Sequence, residues 1–504
     1  MHAPRRSVAP LIATFVAAAC CGYASAQPAL PVVPPENPSV PETSITPSAL
    51  PAESLPPIDG APTGGAGQGA AKPKDFEKLA GSAYKGVFFE NDFSYLDDPA
   101  YDGWHLGEAT KRLELWPGVN ADFGGQYRAR YHHERNMRGL GLTGRDDDFL
   151  LHRTRLYGDV RLGESVRLYG EVRDAVSEFE NYAPRPIEED RLDILNAFGD
   201  VLVADSCSGE LWARVGRQEL LYGSQRVISP LDWSNTRRTF DGAKLFWRGE
   251  DWHVDAFWTQ PVLTYANNRD IGDASQDFAG VYSSYRGVEG KTLDFYYLFY
   301  DEDNAPEEFA FNTVGSFAKG KQGDWLYEFE GDYQFGRRSG HDHSEWAATM
   351  GLGRKLGEAT WAPTTWVYYD YASEFFHHQF PLGHRYLGFM DFYGRRNLHD
   401  INLLVTSDVT NRLQLLAWYH QFFLANLDNG PFGVTMQPFN PGVPAGNAHL
   451  GSEIDLLASY KLTPRINVLA GYSHFFTGDY YRTTPGVPTS ADADFVYTQF
   501  QIDF

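Results

Sequence analysis

Beyond its first residues the 504-residue chain has no apolar run of the roughly 18 residues that a membrane-spanning helix needs, so a helical span is excluded. Cysteine is scarce: Cys20, Cys21 and Cys207 are the three. Two of them fall in a leader, so the mature chain keeps one thiol, with no internal disulfide and no cysteine-based metal site. Positive charge is short as well. The 43 Lys and Arg face 66 Asp and Glu, and a formal charge of −23 argues against nucleic acid as a partner. G-x-S-x-G, P-loop, H-E-x-x-H and paired-cysteine motifs are all missing, which points away from an enzyme and from any cofactor. His132 and His133 fall on opposite sides of one strand, while His341, His343, His377 and His378 read as solvated loop residues rather than metal ligands.

What is abundant is aromatic residues and glycine. Phe, Trp and Tyr make up 15% of the chain and Gly numbers 49, a composition suited to strands with aromatic girdles at two membrane interfaces. Residues 1–26 read as a secretory signal. Arg5 and Arg6 form its basic start, Leu11 to Ala19 its apolar core, and Ala24-Ser25-Ala26 its cleavage site. Lipid attachment at Cys20 or Cys21 is the lesser reading, because Ala17 or Ala18 stands where Leu is expected. Residues 27–74 hold 12 of the 30 prolines and can bury no core, so a disordered tail or spacer is expected there. Residues 75–117 are a transition segment, in which Tyr84 to Phe93 reads as an extra strand or a short plug.

From 118 to 504 the pattern is all-β, with eighteen strand-like segments. Trp325, Tyr327, Phe329, Tyr333 and Phe335 share one face of such a segment, and Glu328, Glu330, Asp332 and Gln334 the other. The connections carry the stronger signal. Short ones, such as Gly163-Glu164, Gly249-Glu250 and Leu462 to Pro464, alternate with long ones at 135–147, 179–191, 218–239, 375–399, 425–448 and 479–492. A transmembrane antiparallel barrel of about eighteen strands has this asymmetry, with tight periplasmic turns and large outer loops. The last strand alternates Val496, Thr498, Phe500 and Ile502 and ends on Phe504, as expected of a strand read by the outer-membrane assembly machinery.

If the apolar alternates face lipid, arginines face the lumen. Arg128 and Arg130 come from the first segment, Arg153, Arg155 and Arg161 from the second, Arg167 and Arg173 from the third, and Arg214 from the fifth, with few carboxylates beside them. Arginine offers a planar fork that fits a carboxylate and stays charged at any physiological pH. A low-dielectric wall would focus the field of such a cluster and concentrate anions. The bland alternative is that these charges solvate the wall or pair across it. Glu328, Glu330, Asp332, Glu453 and Asp455 from later segments imply an opposed acidic wall.

The stretch from Arg214 through Gly223 to Arg226, continued from Ser229 to Gly242, resembles the signature of the alginate-export porin family. So do Gly124 to Arg130 and Gly388 to Asp400. The resemblance covers about 110–504 and implies an eighteen-stranded outer-membrane barrel whose type member passes a polyuronate through an arginine-lined constriction. By that resemblance Arg217, Arg237 and Arg238 join the substrate path, although Arg217 has the lipid-facing parity of its strand. The proline-rich tail and the 75–117 segment depart from the family's usual short N-terminus.

The expectation is a bacterial outer-membrane channel for diffusive passage of an anionic, alginate-like polysaccharide or oligosaccharide. The alternatives are a general or neutral-sugar porin and a plugged structural or adhesive barrel. Expected partners are outer-membrane lipid and lipopolysaccharide, the assembly machinery, the anionic saccharide and periplasmic export components.

Overall fold

The computed structural model describes residues 75–139, 141–303, 308–357, 359 and 361–504. The leader expected at 1–26 and the proline-rich stretch at 27–74 lie outside the described residues. The described residues open with a helix over Phe76–Gly81, capped by Asp75, whose carboxylate accepts from the Lys78 amide at 3.1 Å. Single 3₁₀ turns follow at Phe88–Glu90, Ser94–Asp97 and Glu108–Thr110, then the short strand β1 (Leu113–Trp116).

The wall begins with β2 (Val119–Arg135), β3 (Asp147–Leu162), β4 (Val166–Glu178) and β5 (Asp190–Ser206). It continues with β6 (Gly209–Gln218), β7 (Phe240–Gly249) and β8 (Trp252–Leu263). A two-residue strand, β9 (Ile271–Gly272), pairs with the end of β8. Then come β10 (Gln276–Tyr285), β11 (Lys291–Glu302), β12 (Phe309–Gln322), β13 (Trp325–Arg338), β14 (His341–Lys355) and β15 (Thr364–Ala372). The last five are β16 (Leu398–Asp408), β17 (Leu413–Leu424), β18 (His449–Thr463), β19 (Ile466–Thr477) and β20 (Ala493–Asp503).

Leaving aside β1 and β9, the strands pair antiparallel with their neighbours, and β20 returns to β2, closing a barrel of 18 strands. Closure leaves no open edge, which the absence of water in a bilayer requires. At the seam the Gly125 amide donates to the Phe504 carbonyl at 2.6 Å, and the Phe504 amide to the Gly125 carbonyl at 2.9 Å. A Cβ at Gly125 would stand 2.3 Å from the Arg155 carbonyl oxygen and 3.0 Å from the Phe504 ring, so only glycine lets the two ends meet here.

Eighteen segments are found where the residue pattern places them, with ends shifted by a few residues. The strands run through 337–344 to a two-residue turn at Ser339-Gly340, with φ of 48° and 79°, the geometry that matches the strand twist. The 84–93 stretch forms no strand; β1 supplies the extra pairing instead, on the first residues of β2.

Faces divide as period two demands. Trp325, Phe329, Tyr333 and Phe335 are exposed outward, while Glu328, Glu330, Asp332 and Gln334 are buried. The interior is nonetheless packed. One aromatic and aliphatic cluster joins Trp233, Phe389 and Tyr393 of two long connections to Phe422, Phe475 and Tyr497 of the wall. A second gathers Phe240, Phe278, Phe311 and Phe380, and a third seats Phe88 and Phe89 on Tyr157, Tyr169 and Phe198. These segments therefore fold into the barrel and bury their apolar groups there.

Candidate solute path

Pleating and register stack the arginines. Arg128 on β2 lies opposite Arg153 on β3, and Arg155 lies opposite Arg173 on β4. Like charges directly opposite destabilise a sheet unless something neutralises them. For Arg128 and Arg153 the acceptors come from the connection 219–239, which folds inward. Arg128 donates to the carbonyl of Asp232 at 2.8 Å and to that of Trp233 at 3.2 Å. Arg153 donates to the carbonyls of Asp232 at 2.9 Å and Ser234 at 3.1 Å, and to the Asp232 carboxylate at 2.7 Å. Arg130 donates to the Trp233 carbonyl at 2.9 Å, and its guanidinium lies 3.3 Å from the centre of the indole. Its Nε and Nη1 form no hydrogen bond.

These arginines are buried rather than washed by solvent: Arg128 is 1% exposed and Arg153 0%. The connection reaches them through a bent path. Gln225, Leu231 and Arg237 all hold positive φ, at 68°, 51° and 60°. Non-glycine residues adopt that conformation at a cost of about 1–2 kcal/mol each, so the surrounding bonds must hold it.

A second connection, 373–397, also enters the lumen and runs beside the first. Phe380 donates its amide to the Val227 carbonyl at 3.0 Å and accepts from the Ser229 amide at 2.8 Å, a short parallel bridge. The His384 ring stacks on Trp233 at 4.7 Å. Charge is again matched across the gap, because the acidic wall holds the loops' cations. Arg226 reaches Glu328 at 2.7 Å and Glu330 at 3.2 Å, and Arg395 reaches Asp332 at 3.0 Å. The Met390 amide donates to Glu453 at 2.8 Å.

The remaining arginines named from the sequence are also partnered, and the expectation of few carboxylates beside them is corrected. Arg155 pairs with Glu171 at 2.6 Å, Arg214 with Asp200 at 2.7 Å and Arg167 with Asp159 at 2.7 Å. Arg173 bonds Asp270 at 3.1 Å and also Asp190 and the Thr236 carbonyl. Glu171, Asp159 and Asp200 sit on the neighbouring strands β4, β3 and β5, 16, 8 and 14 residues from their arginines, whereas Asp270 is 97 residues from Arg173. Arg237 lies in the connection between Glu219 and Asp232 and donates to the Gly86 carbonyl at 2.8 Å. Arg238 donates to the carbonyls of Ser229 and Pro381, each at 3.3 Å. Burial lowers Arg237 to about 9 and Arg238 to about 10, which leaves both cationic at neutral pH.

Arg217 is the exception in direction. It keeps the outward parity of β6 and pairs with Asp241 of β7 at 2.8 Å. The histidine expectation also needs correction. His341 and His343 lie on β14, not in a loop. His377 and His378 are in the inward connection, and His378 is buried, bonded to the Arg226 carbonyl at 2.7 Å. Sequence reasoning missed Trp233, His384 and the carbonyls of 232–234. A backbone carbonyl has no sequence signature, and nothing in a loop's composition shows that it turns inward.

At the short-turn rim, which in outer-membrane barrels faces the periplasm, the 75–112 segment closes over the same arginines. Phe88 lies 3.8 Å from the Arg155 guanidinium, and Arg167 donates to the Phe89 carbonyl at 2.5 Å. Arg465 anchors the segment through the Ala80 carbonyl at 2.5 Å and the Tyr95 hydroxyl at 2.7 Å. The segment thus packs on the inner wall without adding a strand at 84–93.

Among solved structures the chain is similar to Acinetobacter baumannii OccAB1, at 12% identity and a TM-score of 0.55, with 80% of this chain and 99% of that one covered. It is similar also to the outer membrane protein opdK from Pseudomonas aeruginosa, at 12% identity and a TM-score of 0.52, covering 76% and 98%. At these identities the likeness shows the fold. Among curated proteins none matches the sequence. The family model for alginate export matches residues 119–493, from the start of the first barrel strand to the start of the last. By that match and by its closed 18-strand wall, the chain belongs to the alginate export family and is an outer-membrane β-barrel channel.

Proposed function

We propose that the chain passes an anionic polysaccharide or oligosaccharide, of the alginate-like polyuronate kind, by diffusion through the barrel, and that it performs no covalent chemistry. One observation carries this reading. Arg128, Arg130 and Arg153 aim their forks at the backbone oxygens of Asp232 to Ser234, and so bind acceptor oxygens that a solute carboxylate would replace. A carboxylate is the stronger partner for a guanidinium, so a passing anion competes with the loop. The opposed acidic wall prevents tight trapping, and conduction requires release as well as entry. Arg155, Arg167, Arg173, Arg214, Arg237 and Arg238 extend the same path, and Arg217 does not join it in this arrangement. The barrel sits in lipid and lipopolysaccharide, and Phe504 offers the assembly machinery its terminal aromatic.

The test is flux into liposomes of a uronate oligomer against a neutral oligomer of equal length. Faster entry of the uronate supports the reading. Equal entry of both would make the channel a general porin. A plugged structural or adhesive barrel is the second reading, favoured by the two inward connections and the 75–112 segment, which bury apolar groups inside the barrel. It predicts entry of neither oligomer through the intact chain, and a pore that opens on deletion of residues 27–117.

A further inference from the structure

A cavity of about 90 Å³ lies at the short-turn rim, between the 81–88 stretch, the Asp232 and Arg237 region of the first inward connection, and the ends of β2, β18 and β20. At roughly 10–15 Å³ for each water it can hold, it has room for roughly six to nine waters, the scale of one sugar ring. Its polar lining is of two kinds. Gln126, Asn467, Gln499 and Gln501 bring amides, and Lys85, Arg155, Arg237, Lys461 and Arg465 bring cations. Asp232 and Asp503 are the carboxylates among the lining residues. Asp503 accepts from Gln126 at 2.9 Å and Gln501 at 3.4 Å, and Asp232 is held by Arg153 and Arg237.

Unsatisfied atoms concentrate here. Arg155 Nη2, Gln499 Oε1 and Arg465 Nε are buried without a hydrogen-bond partner, and all three residues line this one cavity. The carboxylates nearest the two guanidinium groups are turned to other atoms of them or stand off. Glu171 takes Arg155 Nε, Glu219 lies 3.8 Å from Arg155 Nη2, and Glu108 lies 3.6 Å from Arg465 Nη2. Buried polar atoms left without partners are destabilising, so three around one space call for a polar occupant.

We infer that this cavity is a subsite for one sugar residue bearing a carboxylate, built jointly by the N-terminal segment and the barrel mouth. The inference rests on the proposed passage of an anionic saccharide and adds a place where a single residue pauses. Arg155 and Arg465, with Lys461 and Lys85 at the edge, receive the carboxylate. The amides of Gln126, Asn467, Gln499 and Gln501 receive hydroxyls, donating through nitrogen and accepting through oxygen. Tyr84 and Phe88 supply the aromatic part of the lining.

Calorimetric titration of the detergent-solubilised mature chain with sodium glucuronate, and separately with glucose, tests the inference. Saturable glucuronate binding is expected, with glucose weaker by roughly tenfold or more, the loss expected for one charged hydrogen bond. Gln499→Leu and Lys461→Ala are each expected to weaken glucuronate by a similar factor, and heat-shifted gel mobility will show that both variants remain folded barrels. Equal binding of glucose overturns the carboxylate assignment. Binding that is intact in both variants but lost in Arg128→Ala places the sugar elsewhere and overturns the subsite. Absence of glucuronate binding in a chain that still carries anion-selective current overturns the subsite and leaves the channel reading standing. Loss of that selectivity overturns the channel reading itself.

Discussion

Arg153 on β3 holds Asp232 twice, taking its carboxylate at 2.7 Å and its backbone carbonyl at 2.9 Å, although the two residues are 79 positions apart. The contact ties an inward connection to the most basic part of the wall. It turns a set of like charges into a fastening for a loop, and it makes the loop's hold dependent on the same guanidinium groups that would meet an anion.

Trp233 is the mechanical centre of that fastening. It is 1% exposed and packs on Arg130, His132, His384 and Tyr497. Trp233→Ala should cost about 3–5 kcal/mol of loop docking. Limited trypsin digestion checks this directly: cleavage after Arg226, Arg237 and Arg238 should rise sharply in the variant while the barrel fragments stay intact. An unchanged digestion pattern would mean that the connection is held by other contacts.

Arg217 provides the contrast. Its ion pair with Asp241 lies on the outer side, away from the lumenal arginines, so Arg217→Ala should leave ion selectivity unchanged. Its reversal potential in a salt gradient should match that of the unaltered chain. A shifted reversal potential would put this side chain back on the path.

Gly125 controls closure. Gly125→Val places carbon atoms where the Arg155 carbonyl and the Phe504 ring already are. The variant should lose heat-shifted gel mobility or show a lower unfolding temperature, whereas Gly331→Ala, where nothing lies within 4 Å, should keep both.

The second connection should respond to pH. Asp391 lies 3.3 Å from His384, and Glu453 and Asp455 of β18 face the same loop. Burial, reinforced by Asp455, pushes the Asp391 carboxyl well above its usual range, against the opposing pull of Arg185. Burial and then Arg130 push His384 down, so the pair is held neutral. A carboxyl whose folded value is raised contributes its stability in full below its unfolded value and loses it as pH rises through the folded value. His384 acts the other way, losing its share as pH falls below the unfolded histidine value. Docking that depends on Asp391 should therefore loosen with rising pH. Open-channel current recorded between about pH 5 and about 9 should rise more steeply in the unaltered chain than in Asp391→Asn. Identical slopes would remove Asp391 from the account.

The wall was legible because its physics is local. Period two in β13 separates Phe329 from Glu330, and a lipid exterior forces the same choice on every strand, so alternation and turn length suffice. The inward direction of Arg128, Arg130, Arg153, Arg155 and Arg173 follows from that parity. What fills the lumen does not follow, because Asp232 meets Arg153, and Met390 meets Glu453, through contacts whose partners are set by tertiary packing. His377 and His378 read as solvated for the same reason: a loop's sequence shows its polarity but not which way it folds. Arg217 marks the boundary between the two kinds of inference, since parity placed it outward and resemblance placed it inward. The geometry follows parity.

The proposed function has a passing anion meet the buried arginine wall. Its most direct test is the reversal potential across a planar bilayer under a KCl gradient, for the unaltered chain and for the combined Arg128→Ala, Arg130→Ala, Arg153→Ala and Arg155→Ala variant, with both first shown to be folded by heat-shifted mobility. Anion preference is expected in the unaltered chain, and its loss or reversal in the variant. Cation preference in the unaltered chain, or the same anion preference in both, would contradict it.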